Sequence, residues 1–221
     1  KWRLTRDRWH TGFVDTLGHG GLLGQVKGRT LAEVLAWLAT TDLDWRKGIG
    51  YVAIDMSATN RAAIRIGLPH ATVVVDHFHV VRLANAALDD VRRRVQQDTL
   101  GHRGRRDDPL YRIRKLLLTG SERLNERGRD RMLLGLRVGD PDDELVGAWL
   151  AKESVRDVYL ADNYDNAAVL LDKAIAGCLA DEVAEIRSLG ATLASWRTEI
   201  LARHSTGASN GPTEGLNLCV K

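Results

Sequence analysis

Cysteine is scarce in this 221-residue chain, which holds only Cys178 and Cys219. The two lie far apart and form neither a metal-ligand spacing nor a disulfide framework, so a reducing cytoplasm is predicted. No apolar run approaches the roughly 18 residues of a membrane span. The start, KWRLTRDRWHTGFVDTLG, lacks the apolar stretch of a signal peptide. These absences argue against secreted and membrane classes.

Several common catalytic motifs are also missing. There is no GxGxxG after a strand, no GxxxxGK[ST] loop and no GxSxG turn. Neither cysteine has a recognisable catalytic setting. The sequence therefore does not favour a dinucleotide-binding, P-loop or α/β-hydrolase function.

The charge balance is only mildly basic, with 32 Lys and Arg against 29 Asp and Glu. Its distribution is more informative, because RRR, RGRR and RIRK follow one another between residues 92 and 115. Clustered arginines suit phosphate backbones, although charge-rich helix surfaces are common as well. The predicted DNA contacts are Arg92, Arg93, Arg94, Arg103, Arg105 and Arg106.

The first 80 residues predict a mixed α/β domain whose later strands run parallel. Thr30 is the predicted N-cap of the first helix, with Glu33 completing a capping box. The predicted strands span 9–16, 21–26, 50–55 and 71–76, and the predicted helices span 30–40 and 57–67. A polar linker is predicted between the first helix and the third strand.

From Phe78 onward the apolar spacing becomes helical. The predicted organisation is an α/β domain over 1–80, an all-helical block over 81–203, and a tail over 204–221 that leads into a returning helix.

Three acidic residues lie at positions where a catalytic metal site could form. Asp55 ends the run YVAID, Asp76 ends TVVVD, and Glu214 lies in SNGPTEGLN. Parallel strands bring their carboxyl ends to one edge of a sheet, where sites form. Converging carboxylates are natural ligands of Mg²⁺, and two such ions about 4 Å apart can support phosphodiester chemistry.

Plainer interpretations of these residues remain open. Asp55 or Ser57 could cap the following helix, and Glu214 could complete a capping box. His77 and His79 are predicted to alternate on an extended segment, which would direct them to opposite sides.

Together, the stretch YVAIDMSATNRAAIRIGLPHATVVVDHFHVVRLANAALDDVRRR and the motif SNGPTEGLN resemble the ISL3 family of bacterial insertion-sequence transposases. The resemblance covers nearly the whole chain. It implies an RNase H-like core with a DDE metal triad and a large all-α insertion before the final Glu. It also implies DNA partners, both element ends and target, a homo-oligomer in the full-length protein, and a place at the bacterial nucleoid.

By the same resemblance, Asp55 and Glu214 are the expected catalytic metal ligands, with two Mg²⁺ ions in a complete site. Asp76 and His79 match a supporting D-x-x-H motif. Either Asp55 or Asp76 can be the second acid of the triad, and Asp55 is favoured.

The chain departs from the family pattern at its start. The first triad Asp is expected upstream of KWRLTRDRWHTGFVD, and Asp15 is a poor substitute for it. We therefore expect a fragment cut at both ends that neither nicks nor joins DNA. The alternatives are an inactive remnant that only binds DNA or a partner protein, and an RNase H-like nuclease without strand transfer.

Overall fold

The computed structural model describes residues 10–16 and 21–208. The chain divides into two compact units. Lys1–His79 with Thr198–Lys221 form one, called here the sheet unit, and Val80–Arg197 form the other, called the helical unit. Across the described residues, no helix combines the length and apolarity that crossing a bilayer requires.

The sheet unit begins with an antiparallel hairpin of β1 (His10–Asp15) and β2 (Gly21–Lys27). The hairpin packs on α1 (Leu31–Thr40), where Phe13 and Trp37 stack with ring centroids 3.6 Å apart. A Cβ at Gly24 would lie only 2.3 Å from the Trp37 ring, so only glycine permits this approach. The predicted capping box of α1 is confirmed.

A parallel βαβ segment follows the short helix α2 (Leu43–Lys47). It consists of β3 (Tyr51–Ile54), α3 (Ala58–Gly67) and β4 (Thr72–Val75), and its two strands pair in parallel as predicted. Among the described residues, β1 and β2 pair only with each other. The described strands therefore form two separate pairs, one antiparallel and one parallel.

The helix α10 (Arg197–Thr206) returns the chain to the sheet unit. The buried Glu199 carboxylate of α10 accepts a 2.6 Å hydrogen bond from Arg65 of α3 and lies 3.7 Å from Arg61. Ala202 and Ala208 pack with Val74 of β4 in one buried cluster. The last described residues thus lie against the strand that precedes Asp76.

The helical unit contains most of α4 (His77–Leu100). Apolar side chains at helical spacing, from Val80 through Ala84, Leu88 and Val91 to Val95, are buried along one side of α4. The remaining described helices of this unit are α5 (Pro109–Leu118), the 3₁₀ turn Ser121–Arg123, α6 (Glu126–Gly139), α7 (Glu144–Leu160), α8 (Tyr164–Ala180) and α9 (Ala184–Ser195).

Two local predictions need correction. His77 and His79 do not lie on an extended segment, because α4 begins at His77 directly after the short strand β4. Positions two apart in a helix still lie about 160° apart around its axis. The stretch between α1 and β3 is also not only a polar linker, since Asp42 caps α2 by accepting from the backbone N–H groups of Asp44 and Trp45.

Candidate functional site

The carboxyl ends of β3 and β4 bring two of the three predicted acids to one edge. Ile54 and Val75 are register partners, and the Asp76 backbone N–H donates to the Ile54 carbonyl over 3.2 Å. Asp55 and Asp76 are the residues that directly follow these partners. The pairing of the strands therefore fixes both backbones at the same sheet edge.

Asp55 presents an exposed carboxylate at this edge. Ser57, rather than Asp55, caps α3, because the Ser57 hydroxyl accepts from the Asn60 backbone N–H over 3.2 Å. The Asn60 side-chain amide donates to Asp55 Oδ1 over 3.3 Å. The Asp55 side chain is thus oriented by α3 without being used as its cap.

Asp76 is in a different setting, with its side chain only 4% exposed. Its Oδ1 accepts from the Phe78 backbone N–H over 2.8 Å and lies 3.3 Å from His77 Nδ1. Asp76 therefore caps the first turn of α4. His79 also lies in this turn, where its backbone N–H donates to the Asp76 carbonyl and its ring packs edge-on to Phe78.

The donor set at this edge fits Mg²⁺, which typically takes one or two carboxylates and completes its shell with water and substrate phosphate. Within the described ranges, no three His, Cys, Asp or Glu side chains are grouped closely enough to hold a metal ion. Glu214, the third predicted acid, lies outside the described residues. The structure thus places the backbones of Asp55 and Asp76 at one sheet edge, and the approach of Glu214 stays a prediction.

The arginine run at 92–94 is engaged in contacts within the protein. Arg92 is only 4% exposed and pairs with Asp89 and with the Gln96 side chain. Arg93 is half exposed and also pairs with Asp89.

Arg94 forms hydrogen bonds to two other helices. It donates to Glu144 of α7 over 2.8 Å and to Glu185 of α9 over 2.7 Å, and these hydrogen bonds raise its pKa well above the usual arginine value. Within the 92–94 run, Arg94 thus links α4 to two other helices, whereas Arg92 and Arg93 pair with Asp89 of α4 itself, and Arg93 is the most exposed of the three.

The second run is presented differently. Arg103, Arg105 and Arg106 are exposed on the loop between α4 and α5. Two of them, Arg105 and Arg106, line a concavity together with residues that were not predicted to form a site, namely Tyr111, Arg112, Arg114 and Arg131. The RIRK run at 112–115 indicated Arg112 and Arg114 from sequence. Arg131 comes from α6, and no local sequence pattern links it to the loop.

Comparison with known protein families identifies the chain as a transposase. A family model described as a transposase matches residues 2–221, nearly the whole chain. The chain belongs to the ISL3 family of DDE transposases. No curated protein and no solved structure gives a significant match.

Proposed function

We propose that this chain serves as the catalytic domain of a metal-dependent DNA transposase, with an RNase H-like arrangement of the sheet unit. In the proposed reaction, water attacks a phosphodiester at the element end, and the freed 3′-OH then attacks target DNA. The observation that carries the proposal is the in-register parallel pairing of β3 and β4, which sets Asp55 and Asp76 at one edge.

The environments of the two acids support Asp55 as the metal-binding member. An exposed carboxylate that accepts from the Asn60 amide keeps lone pairs for a cation, whereas the buried Asp76 is used to cap α4. We assign Asp76 and His79 a positioning role, in which they fix the start of α4 beside the site.

Glu214 is proposed as the partner of Asp55. Ala208 packs against Val74 of β4, two residues before Asp76. The six-residue step from Ala208 to Glu214 spans at most about 22 Å, because an extended chain advances by about 3.3–3.6 Å per residue. A carboxylate on this tail can therefore reach the edge that carries Asp55.

The Mg²⁺ ions expected in a complete site would lower the pKa of a bound water and neutralise charge on the phosphate. Asp55 and Glu214 would hold them, and Asn60 would keep the Asp55 carboxylate oriented towards them. The exposed arginines of the 103–106 loop would contribute DNA binding, and we propose that the full-length protein acts as a homo-oligomer at the nucleoid.

Bound Fe²⁺ can test the shared metal site without requiring catalysis. Fe²⁺ substitutes for Mg²⁺ and, with ascorbate and peroxide, generates radicals that cut nearby backbone. We expect cuts near residues 55, 76 and 214 of the 221-residue chain, all suppressed by excess Mg²⁺. Asp55→Asn should remove the three cuts together, because Asp55 is a shared ligand.

Asp157→Asn provides the matched control, since Asp157 is an exposed acid of α7 in the helical unit. It should leave the cutting pattern unchanged. Cuts near 55 and 76 without cuts near 214 would refute the pairing of Asp55 with Glu214. A chain that shows no cuts at any of these positions while still binding DNA would favour the non-catalytic remnant.

A further inference from the structure

We propose that the arginine-lined concavity of the helical unit binds consecutive phosphates of a DNA strand. Its lining consists of Gly104, Arg105, Arg106, Tyr111, Arg112, Arg114 and Arg131, around a volume of about 530 Å³. The choice of DNA as the polyanion rests on the proposed function. The site itself rests on the charge, shape and lining of the concavity.

The guanidinium groups of the concavity form no ion pair within the described part of the chain. Across residues 10–16 and 21–208, no carboxylate lies within ion-pair distance of its five guanidinium groups, in contrast to Arg92, Arg93 and Arg94. Five like charges facing one space repel each other, and an anionic ligand relieves that repulsion. The described lining has no aliphatic side chain, which argues against the largely apolar pockets that hold small molecules.

The loop that supplies Arg105 and Arg106 is built around one carboxylate. Asp108 accepts from the Arg105 backbone N–H and from the Gln96 side-chain amide, and it lies 3.5 Å from His102 Nδ1. Gly104 has φ +121°, and a Cβ there would meet Gln96 and Tyr111 at 2.9 Å. The loop is therefore shaped before any ligand arrives, which lowers the entropic cost of binding.

Tyr111 serves as a platform for one of the arginines. The Arg114 guanidinium carbon lies 3.9 Å from the Tyr111 ring centroid, and Arg114 Nη1 donates to the Tyr111 carbonyl over 2.8 Å. Arg114 thus occupies the ring face on which a base would otherwise stack. The contacts that remain are guanidinium to phosphate, so we infer that binding reads the backbone and not the base sequence.

The test compares two double variants of equal charge. Arg112 and Arg131 line the concavity from α5 and α6, whereas Arg127 and Arg137 are exposed on α6 outside it. Fluorescence anisotropy with two unrelated labelled DNA duplexes, over a salt series, measures affinity and salt dependence for each variant of the 221-residue chain.

We expect R112Q/R131Q to lose about tenfold in affinity per guanidinium removed, equally on both duplexes, because hydrogen bonds to charged groups carry that magnitude. The salt slope should fall by about 1.8, at about 0.9 per phosphate contact. R127Q/R137Q should lose less than about threefold, since it removes only general attraction. Equal losses in the two double variants would overturn the site.

Further measurements distinguish DNA from other ligands of the concavity, and distinguish a failure of this site from a failure of the metal site. If R112Q/R131Q loses binding of inorganic pyrophosphate but keeps duplex DNA, the site is one for small polyphosphates and the DNA assignment is overturned. Tighter binding of duplex RNA than of DNA through the same residues would also overturn it. R112Q/R131Q should keep the Fe²⁺ cutting pattern while it loses DNA binding, so a failure of the metal site is distinguishable from a failure of this one.

Discussion

The same residue type serves different purposes in this chain, and the environment of each side chain decides which. Asp55 is exposed and lightly held, whereas Asp76 is buried and caps a helix. Arg92 is buried among partners from its own helix, whereas Arg105 faces a cationic concavity. A carboxylate or guanidinium that already stabilises the fold has less capacity left for a ligand.

Substitutions of Asp55 and Asp76 should therefore have different effects on the free energy of unfolding. Asp76→Ala removes the cap of α4 and should lower the free energy of unfolding by about 1–2 kcal/mol, whereas Asp76→Asn should retain most of it. Asp55→Ala should stay within about 0.5 kcal/mol, as is usual for exposed positions. Urea denaturation measures all three, and a larger loss for Asp55→Ala than for Asp76→Ala would contradict the assigned roles.

At the scale of the elements, Lys152 of α7 connects its own helix to the end of α5. Its buried ammonium donates to the carbonyls of Leu117 and Thr119, over 2.8 and 3.0 Å, and pairs with Glu153. Burial lowers the pKa of Lys152, and the pairing with Glu153 partly offsets that effect. The ammonium thus satisfies helix-end carbonyls that have no partner within their own helix.

Lys152→Met should keep the packed volume but remove the donor that these carbonyls and Glu153 share. We expect the free energy of unfolding to fall by roughly 3 kcal/mol. Lys173→Met, at an exposed position of α8, should change it by less than about 0.5 kcal/mol. Chemical denaturation of both variants is the measurement, and similar results for the two would refute the role of Lys152.

Arg94 links α4 to the first turns of α7 and α9 through Glu144 and Glu185. For Glu185, burial raises the pKa, but the Arg94 hydrogen bond, a hydrogen bond from the Glu185 backbone N–H and the Arg94 charge together outweigh it and hold the pKa below the usual value. The stability that Glu185 contributes is therefore present above its unfolded pKa of about 4.3 and is lost as pH falls below it.

Arg94→Gln should reduce this pH dependence, because it removes the Arg94 hydrogen bond and charge that lower the pKa of Glu185. Between pH 6 and pH 3, the wild-type free energy of unfolding should fall more steeply than that of Arg94→Gln. Arg137→Gln, an exposed change on α6, should follow the wild type. Urea titrations at stepped pH give the comparison, and parallel wild-type and Arg94→Gln curves would show that the pair contributes nothing.

Local signals account for the parts of the structure that the sequence predicted well. The Thr30–Glu33 capping box and the strands that end before Asp55 and Asp76 depend on neighbours within a few residues. The partners of Arg94 lie 50 and 91 residues away, so no local pattern could show that this arginine is occupied. Arg131 joins the concavity through packing of α6 on α5, which is likewise a tertiary effect.

At the scale of the whole molecule, the candidate chemistry is divided between the two units. The sheet unit carries the acids Asp55 and Asp76, and the helical unit carries the arginines around Tyr111. We propose that the first unit holds the metal ions and that the second holds DNA backbone. Each function should therefore be removable by substitution without removing the other.

A metal-dependent cleavage and strand-transfer assay on labelled element ends bears on the proposed transposase chemistry itself. It compares the 221-residue chain with a version extended upstream to include the first acid that the family resemblance implies. We expect cutting and joining of DNA in Mg²⁺ or Mn²⁺ by the extended version, and we expect Asp55→Ala or Glu214→Ala to abolish this. Two results would contradict the assigned acids: cleavage that survives Asp55→Ala but fails on Asp76→Ala, or cleavage by the 221-residue chain that Asp15→Ala abolishes.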